Sequence, residues 1–161
     1  MKTVLFVCTG NIFRSMTAEH CLRHALGPSS PYRAASAGTV AIMQPMADFI
    51  RNRLLHLGVD PSAHLQRKLS REILEESDLV VAMGCDHQEF IRSNFGLDAY
   101  LFNRICFGRD EPVLDISEVL PMNWETDMSA ACKYGESVVE YIYRAMPAFI
   151  SNMEGFIEGA V

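Results

Sequence analysis

The sequence lacks an excess of positive charge and lacks long apolar runs. Its 14 Lys and Arg against 20 Asp and Glu give a net charge of -6. A general binder of nucleic acid or of an anionic membrane needs a basic surface, so we expect neither partner. No segment approaches the ~20 apolar residues of a membrane span. The opening run, residues 4–8, is also shorter than the ~7–15 residues of a signal-peptide core.

Cysteine motifs are lacking as well. The five cysteines cannot all pair within one chain, and none are spaced as Cys-x-x-Cys, which excludes the usual zinc and thioredoxin motifs. His20 and His24 share a helix face, but no third ligand is near them in the sequence. The sequence therefore predicts no metal and no cofactor. We expect a reduced, cytoplasmic protein whose cysteines are mostly packing residues.

What is present is an alternation of apolar runs with amphipathic segments. The runs that favour strands are residues 2–7, 32–37, 78–83 and 99–102. Helices are predicted after Ser15, over 45–57, 71–77, 86–94 and 129–150, with a loop over 108–127. Alternation of this kind predicts an α/β fold in three layers, doubly wound, with a four-stranded parallel sheet flanked by helices. We expect residues 1–161 to form a single domain.

The turn after the first predicted strand carries the clearest chemistry. Residues 8–15 read Cys-Thr-Gly-Asn-Ile-Phe-Arg-Ser, and a helix follows at once. Amide groups of such a turn, with the positive end of the helix, form an anion site where Arg14 can donate two hydrogen bonds to an oxyanion. The same field favours the thiolate of Cys8. We predict a cysteine nucleophile in an oxyanion site; a buried cysteine near a surface arginine would have the same spacing.

This turn resembles the signature loop of the low-molecular-weight protein tyrosine phosphatases and of the thioredoxin-coupled arsenate reductases that share their fold. We call residues 8–15 the phosphate loop. The resemblance covers most of the chain, because further segments also match the family's motifs. These segments are Ala18-Glu19, residues 36–39, residues 58–60 with His64, and residues 78–83.

The resemblance implies a mechanism and a substrate class. Cys8 would attack phosphorus to form a phosphocysteine, Arg14 would hold the transferred phosphoryl group, and water would hydrolyse the intermediate. The substrates would be phosphotyrosine proteins or small aryl phosphates, and inorganic phosphate, sulfate and vanadate would bind. Asn11 is expected to adopt a left-handed conformation. The remaining residues implied in phosphate binding or loop support are Thr9, Gly10, Ile12, Phe13, Ser15, Ser36 and His64.

Two departures from the family pattern are visible. Phe13 stands where the loop commonly carries a second cysteine. Residues 121–124 align best with the family's Asp-Pro-aromatic motif, so that Met122 replaces the general acid and Trp124 keeps the aromatic position. Both Trp124 and Met122 are expected at the pocket rim. Methionine cannot protonate a leaving phenolate, and general acid catalysis is worth about 10²–10⁴ in rate. Nearby carboxylates that could substitute are Asp115, Glu125 and Asp127.

Three functions remain open at this point. The first is a protein-tyrosine-phosphatase with catalysis weakened by loss of the usual acid. The second is a non-catalytic module that binds phosphate or phosphoproteins. The third is an arsenate reductase, which needs two further cysteines in a disulfide relay; Cys85 and Cys106 are too far apart in the sequence to resemble that pair.

Overall fold

The computed structural model describes residues 1–159 and contains one four-stranded parallel sheet. The spatial order of the strands is β2-β1-β3-β4. In chain order they are β1 (Lys2–Cys8), β2 (Tyr32–Gly38), β3 (Leu79–Ala82) and β4 (Tyr100–Leu101). Cys8 at the carboxyl end of β1 lies opposite Gly38, and Val7 lies opposite Ala82. The predicted doubly wound parallel sheet is confirmed.

Helices cover both faces of the sheet. They are α1 (Arg14–Leu26), α2 (Asp48–His56), α3 (Arg71–Glu75), α4 (Cys85–Phe95), α5 (Phe102–Phe107), α6 (Ile116–Val119) and α7 (Met128–Ile157). A short 3₁₀ helix, Trp124–Thr126, precedes α7. Among residues 1–159 no helix combines the length and the apolar character needed to cross a bilayer.

The alternation of side chains along β1 produces the three layers. Val4 and Phe6 point into a core shared with α1, α2, α5 and α7, whereas Leu5 and Val7 point into a second core with α3 and α4. All of these side chains are fully buried, as expected for a strand covered on both faces of a parallel sheet. The loop that follows β1 therefore starts from a rigid position at the middle of the molecule.

Three details differ from the sequence predictions. Residues 108–127 are not one loop, because Asp115 and Glu118 form a capping box that starts α6. Helix α7 runs on to Ile157 and includes Pro147, since its apolar face stays buried beyond the predicted end. Helix α1 begins at Arg14 with Phe13 as its N-cap residue, so Ser15 lies inside the helix and its hydroxyl is used elsewhere.

Candidate active site

The phosphate loop turns its amides inward because its carbonyls are bound from outside. The carbonyl oxygens of residues 9–11 accept hydrogen bonds from Val40, Ala41, Gln66 and His64 at 2.6–3.1 Å. A peptide unit is planar and trans, so each following N–H group points the opposite way. The N–H of Asn11 follows this rule and donates to Cys8 Sγ at 3.3 Å. The loop has the form that the sequence predicts for an anion site.

Asn11 links the loop to its surroundings and has a φ of 58°, the left-handed conformation expected for it. Its Nδ2 donates to Ser36 Oγ at 2.7 Å and to Ser15 Oγ at 3.1 Å. Its Oδ1 accepts from the backbone N–H of Arg67 at 2.8 Å. One buried side chain therefore ties the loop to α1, to β2 and to the segment before α3.

A chain of buried hydrogen bonds ends at the sulfur of Cys8. Ser15 Oγ lies 2.9 Å from Cys8 Sγ, and Ser15 is bonded in turn to Asn11 and through it to Ser36. Ser36 donates its hydroxyl proton to Glu19. The sequence predicted no role for Glu19 beyond its match to a family segment. The signal present in the sequence is an acidic residue within a run of mainly apolar and small residues, 16–22.

The loop also approaches β2 closely at Gly38. A Cβ atom on Gly38 would lie 2.6 Å from the carbonyl oxygen of Thr9 and 3.0 Å from the amide nitrogen of Asn11. Only glycine therefore allows the loop to pack against the end of β2.

Arg14 is oriented by its own partners. The side chain is 2% exposed, Nη1 donates to the carbonyl of Val113 at 2.9 Å, and Nη2 pairs with Asp115 Oδ2 at 2.9 Å. Glu118 Oε2 lies further off, 3.6 Å from Nη1. Within residues 1–159 the buried Nε has no hydrogen-bond partner. An oxyanion in the loop would supply the missing acceptor.

A cavity of about 550 Å³ opens over the phosphate loop. Its walls include Cys8, Arg14 and Asp115 together with the aromatic side chains of Phe13, Phe49 and Trp124. The candidate nucleophile Cys8, the Arg14 guanidinium and the Asp115 carboxyl group therefore line the same cavity. Asp115 and Arg14 are 101 residues apart in the sequence.

The other rim and acid candidates lie in different places. Met122 is 100% exposed and is absent from the cavity walls, so the prediction that it forms the rim is wrong. The reason is that residues 121–123, which precede the 3₁₀ helix, are exposed to solvent, whereas Asp115 at the start of α6 lines the cavity. Asp127 accepts a hydrogen bond from the N–H of Ala130 as the N-cap of α7 and does not line the cavity. Glu125 does line it.

His87 is a buried neighbour of the loop that sequence analysis left without a role. Its Nε2 lies 2.9 Å from Thr9 Oγ1. Burial, together with the positive charge of Arg14, lowers the pKa of His87 to about 4 against the opposing effect of Asp86 and Asp115. A neutral imidazole therefore holds the second residue of the loop at neutral pH.

The fold and the site together define a class: an α/β protein with an oxyanion-binding loop between its first strand and first helix. The family described as low molecular weight phosphotyrosine protein phosphatase matches residues 3–106. The chain therefore belongs to that family, and the resemblance seen in the sequence is confirmed.

Named relatives agree with this assignment. The chain is 30% identical over 95 residues to the low molecular weight protein-tyrosine-phosphatase Ptp of Acinetobacter johnsonii, covering 58% of this chain and 65% of that one. It is 35% identical over 87 residues to Etp of Escherichia coli, a protein of the same description, covering 53% and 57%. The aligned region is thus less than two thirds of the length of either relative.

Two further similarities bear on fold and function. The solved structure of a low molecular weight protein tyrosine phosphatase from T. tengcongensis has a TM-score of 0.73 and 29% identity, covering 94% of this chain and 99% of that one. Arsenate reductase 2 of Staphylococcus saprophyticus is 32% identical over 88 residues, covering 55% of this chain and 64% of that one. The fold is common to both activities, so the choice between them depends on the site.

Proposed function

We propose that the protein hydrolyses phosphate monoesters, on protein phosphotyrosine or on small aryl phosphates, through a phosphocysteine at Cys8. The observation that carries the proposal is the meeting of Cys8, Arg14 and Asp115 in one cavity. The relatives named as protein-tyrosine-phosphatases support the same reaction class.

The nucleophile is the sulfur of Cys8. The Asn11 amide donates to it, and the Ser15 hydroxyl lies within hydrogen-bonding distance, so both groups can hold the sulfur in position for attack. The thiolate attacks phosphorus in line with the leaving oxygen. A sulfur–phosphorus bond forms as the phosphorus–oxygen bond to the leaving group breaks.

Arg14 stabilises the charge on the transferred phosphoryl oxygens. The Val113 carbonyl fixes one end of its guanidinium, and the unpartnered Nε together with Nη2 is available as a two-pronged donor. Nη2 carries two N–H groups, so a phosphate oxygen and Asp115 can both accept from it. The ion pair thereby holds the Asp115 carboxyl group next to the transferred phosphoryl group.

Asp115 is the general acid of this proposal. Its carboxyl gives a proton to the leaving oxygen and later accepts one from the water that attacks phosphorus, which regenerates Cys8 and releases phosphate. The expectation of weakened acid catalysis depended on Met122, which lies outside the cavity. The capping box with Glu118 orients the backbone of Asp115.

The cavity walls favour an aryl ester. Phe13, Phe49 and Trp124 place aromatic surface around the phosphate loop, and about 550 Å³ is ample for a phenyl ring. Aromatic pairs add about 0.5–1.5 kcal/mol beyond burial alone. We therefore expect aryl phosphates to be preferred to alkyl phosphates.

The decisive experiment compares Cys8→Ser with the unaltered protein on para-nitrophenyl phosphate in single-turnover and steady-state assays. We expect a burst of phenolate followed by turnover from the unaltered protein, and neither from Cys8→Ser. Cys85→Ser changes an exposed cysteine away from the cavity and is the matched control. Hydrolysis retained by Cys8→Ser would refute the mechanism. Phosphotyrosine binding without turnover in the unaltered protein would instead indicate a binding module.

The arsenate reductase alternative is less well supported. A disulfide relay needs reactive thiols, but burial raises the pKa of Cys21 and of Cys106 to about 12. Cys85 is exposed and Cys132 is half-buried on a different helix. We expect no thioredoxin-dependent reduction of arsenate by this protein.

A further inference from the structure

Glu19, His20 and His64 form a second group of reactive side chains beside the phosphate loop and outside its cavity. One potential ligand atom from each lies within 4.8 Å of the other two. The sequence spacing hides this group, because His64 comes from the segment before α3 while the other two come from α1. His24, which shares a helix face with His20, is not part of the group.

The free ring nitrogens of the two histidines are both suited to a metal. His64 Nε2 donates to the carbonyl of Asn11 at 2.7 Å, so its Nδ1 carries the lone pair, and that atom lies 3.8 Å from Glu19 Oε2. His20 is 3% exposed, and within the described residues its buried Nε2 has no hydrogen-bond partner. A buried nitrogen without a partner is destabilising unless something else satisfies it.

We propose that Glu19 Oε2, His20 Nε2 and His64 Nδ1 bind a divalent transition metal of the Zn²⁺ type, with water as the fourth ligand. Two imidazoles and one carboxylate are a common zinc ligand set. Ligand atoms of a tetrahedral site are ~3.4 Å apart, so small side-chain rotations from the present spacing complete it.

The outer contacts of this site match those of metal ligands. The Asn11 carbonyl accepts the second ring N–H of His64, the usual arrangement for a histidine that binds metal. Arg23 pairs with Glu19 Oε1, while Oε2 accepts the Ser36 hydroxyl and keeps a second lone pair for the ion. A surface cavity of about 270 Å³ reaches Glu19, and three arginines, Arg23, Arg33 and Arg67, also line it. Their positive charge makes this a weaker site than a four-ligand structural zinc site.

The test measures Zn²⁺ binding to the full chain carrying Cys8→Ser, which removes the thiol of the phosphate loop. Titration calorimetry, with metal content after dialysis, gives stoichiometry and affinity. We expect one ion per chain, and a dissociation constant at least ~100-fold higher when His20→Ala is added, since even outer-shell changes cost about 10–100-fold. His24→Ala, on the same helix, is the matched control and should leave binding unchanged.

A second readout does not depend on how the variants fold. In the Cys8→Ser protein, Zn²⁺ should shift the imidazole NMR resonances of His20 and His64, and Co²⁺ should give a visible spectrum without a thiolate charge-transfer band. Absence of binding, a thiolate band, or resonances of His20 that do not respond would overturn the proposal. Because Cys8 is replaced throughout, the result is independent of the proposed phosphatase activity.

Discussion

Residues 8–15 and residues 113–119 meet at Arg14, yet they are held by different means. The phosphate loop lies between two cores and is bound by buried partners from β2, α1 and the segment before α3. The 113–119 segment is anchored by the buried Val113 and Ile116, but its carboxylates Asp115 and Glu118 are partly exposed and belong to one capping box. In the proposed mechanism the rigid region positions phosphorus, whereas the second region carries the proton donor.

The largest effect expected from this contrast is on catalysis by Asp115→Asn. Loss of the acid should lower kcat about 10²–10⁴-fold for phenyl phosphate. The decrease should be much smaller for para-nitrophenyl phosphate, whose leaving group needs little protonation. Steady-state rates on both esters make the comparison, with Asp127→Asn as the control that keeps a capping side chain. Equal decreases on both esters would mean that Asp115 only orients Arg14.

Replacing Asn11, the buried residue that links the phosphate loop to its surroundings, tests the rigid region. Asn11→Ala removes the hydrogen bonds to Ser15, Ser36 and Arg67 and leaves alanine at a φ of 58°. Buried groups without partners and left-handed strain together predict a loss of about 3 kcal/mol in the free energy of unfolding. Denaturant titration measures it. The exposed Asn123→Ala should change stability by less than about 0.5 kcal/mol, and a similar loss in both variants would remove the contrast.

His87 lies between the two regions and should give the fold a pH dependence. Its ordinary pKa is 6.5 and its folded pKa is about 4, so the unfolded chain binds a proton first as the pH falls. The stability due to neutral His87 is therefore full above pH 6.5 and is lost as the pH falls toward 4. Between pH 7.5 and 5 the loss is about 2 kcal/mol.

His87→Gln removes that titration and keeps a hydrogen-bonding side chain for Thr9. Denaturant titrations at several pH values should show that the variant loses less stability on acidification than the unaltered protein does. Parallel curves for the two proteins would show that His87 is not the group responsible.

The smallest effect is expected at the cap of α7. Asp127→Ala removes the hydrogen bond to the Ala130 amide and should lower the free energy of unfolding by about 1 kcal/mol. Because Asp127 does not line the cavity, kcat should be unchanged. A large decrease in kcat on phenyl phosphate would return Asp127 to consideration as the acid.

The sequence predicted most where cause and effect are local. The alternation of apolar residues in β1 and the glycine-containing turn after it are short-range patterns, and the structure has both. The same reasoning went wrong over 108–127, where α6 spans only four residues and depends on a capping box rather than on an apolar stripe. It also mistook Ser15 for a cap, because a hydroxyl at a helix start looks the same whether it bonds to backbone or to sulfur.

The amino-acid sequence alone determined the sheet's strands and the presence of a cysteine and an arginine in one anion-binding turn, because neighbours along the chain suffice for both. Only the tertiary structure brought Asp115 to Arg14, Glu19 to Ser36, His87 to Thr9 and His64 to His20. Those contacts join segments far apart in the chain. Their geometry follows from how the helices pack on the two faces of the sheet, and no local sequence pattern specifies that packing.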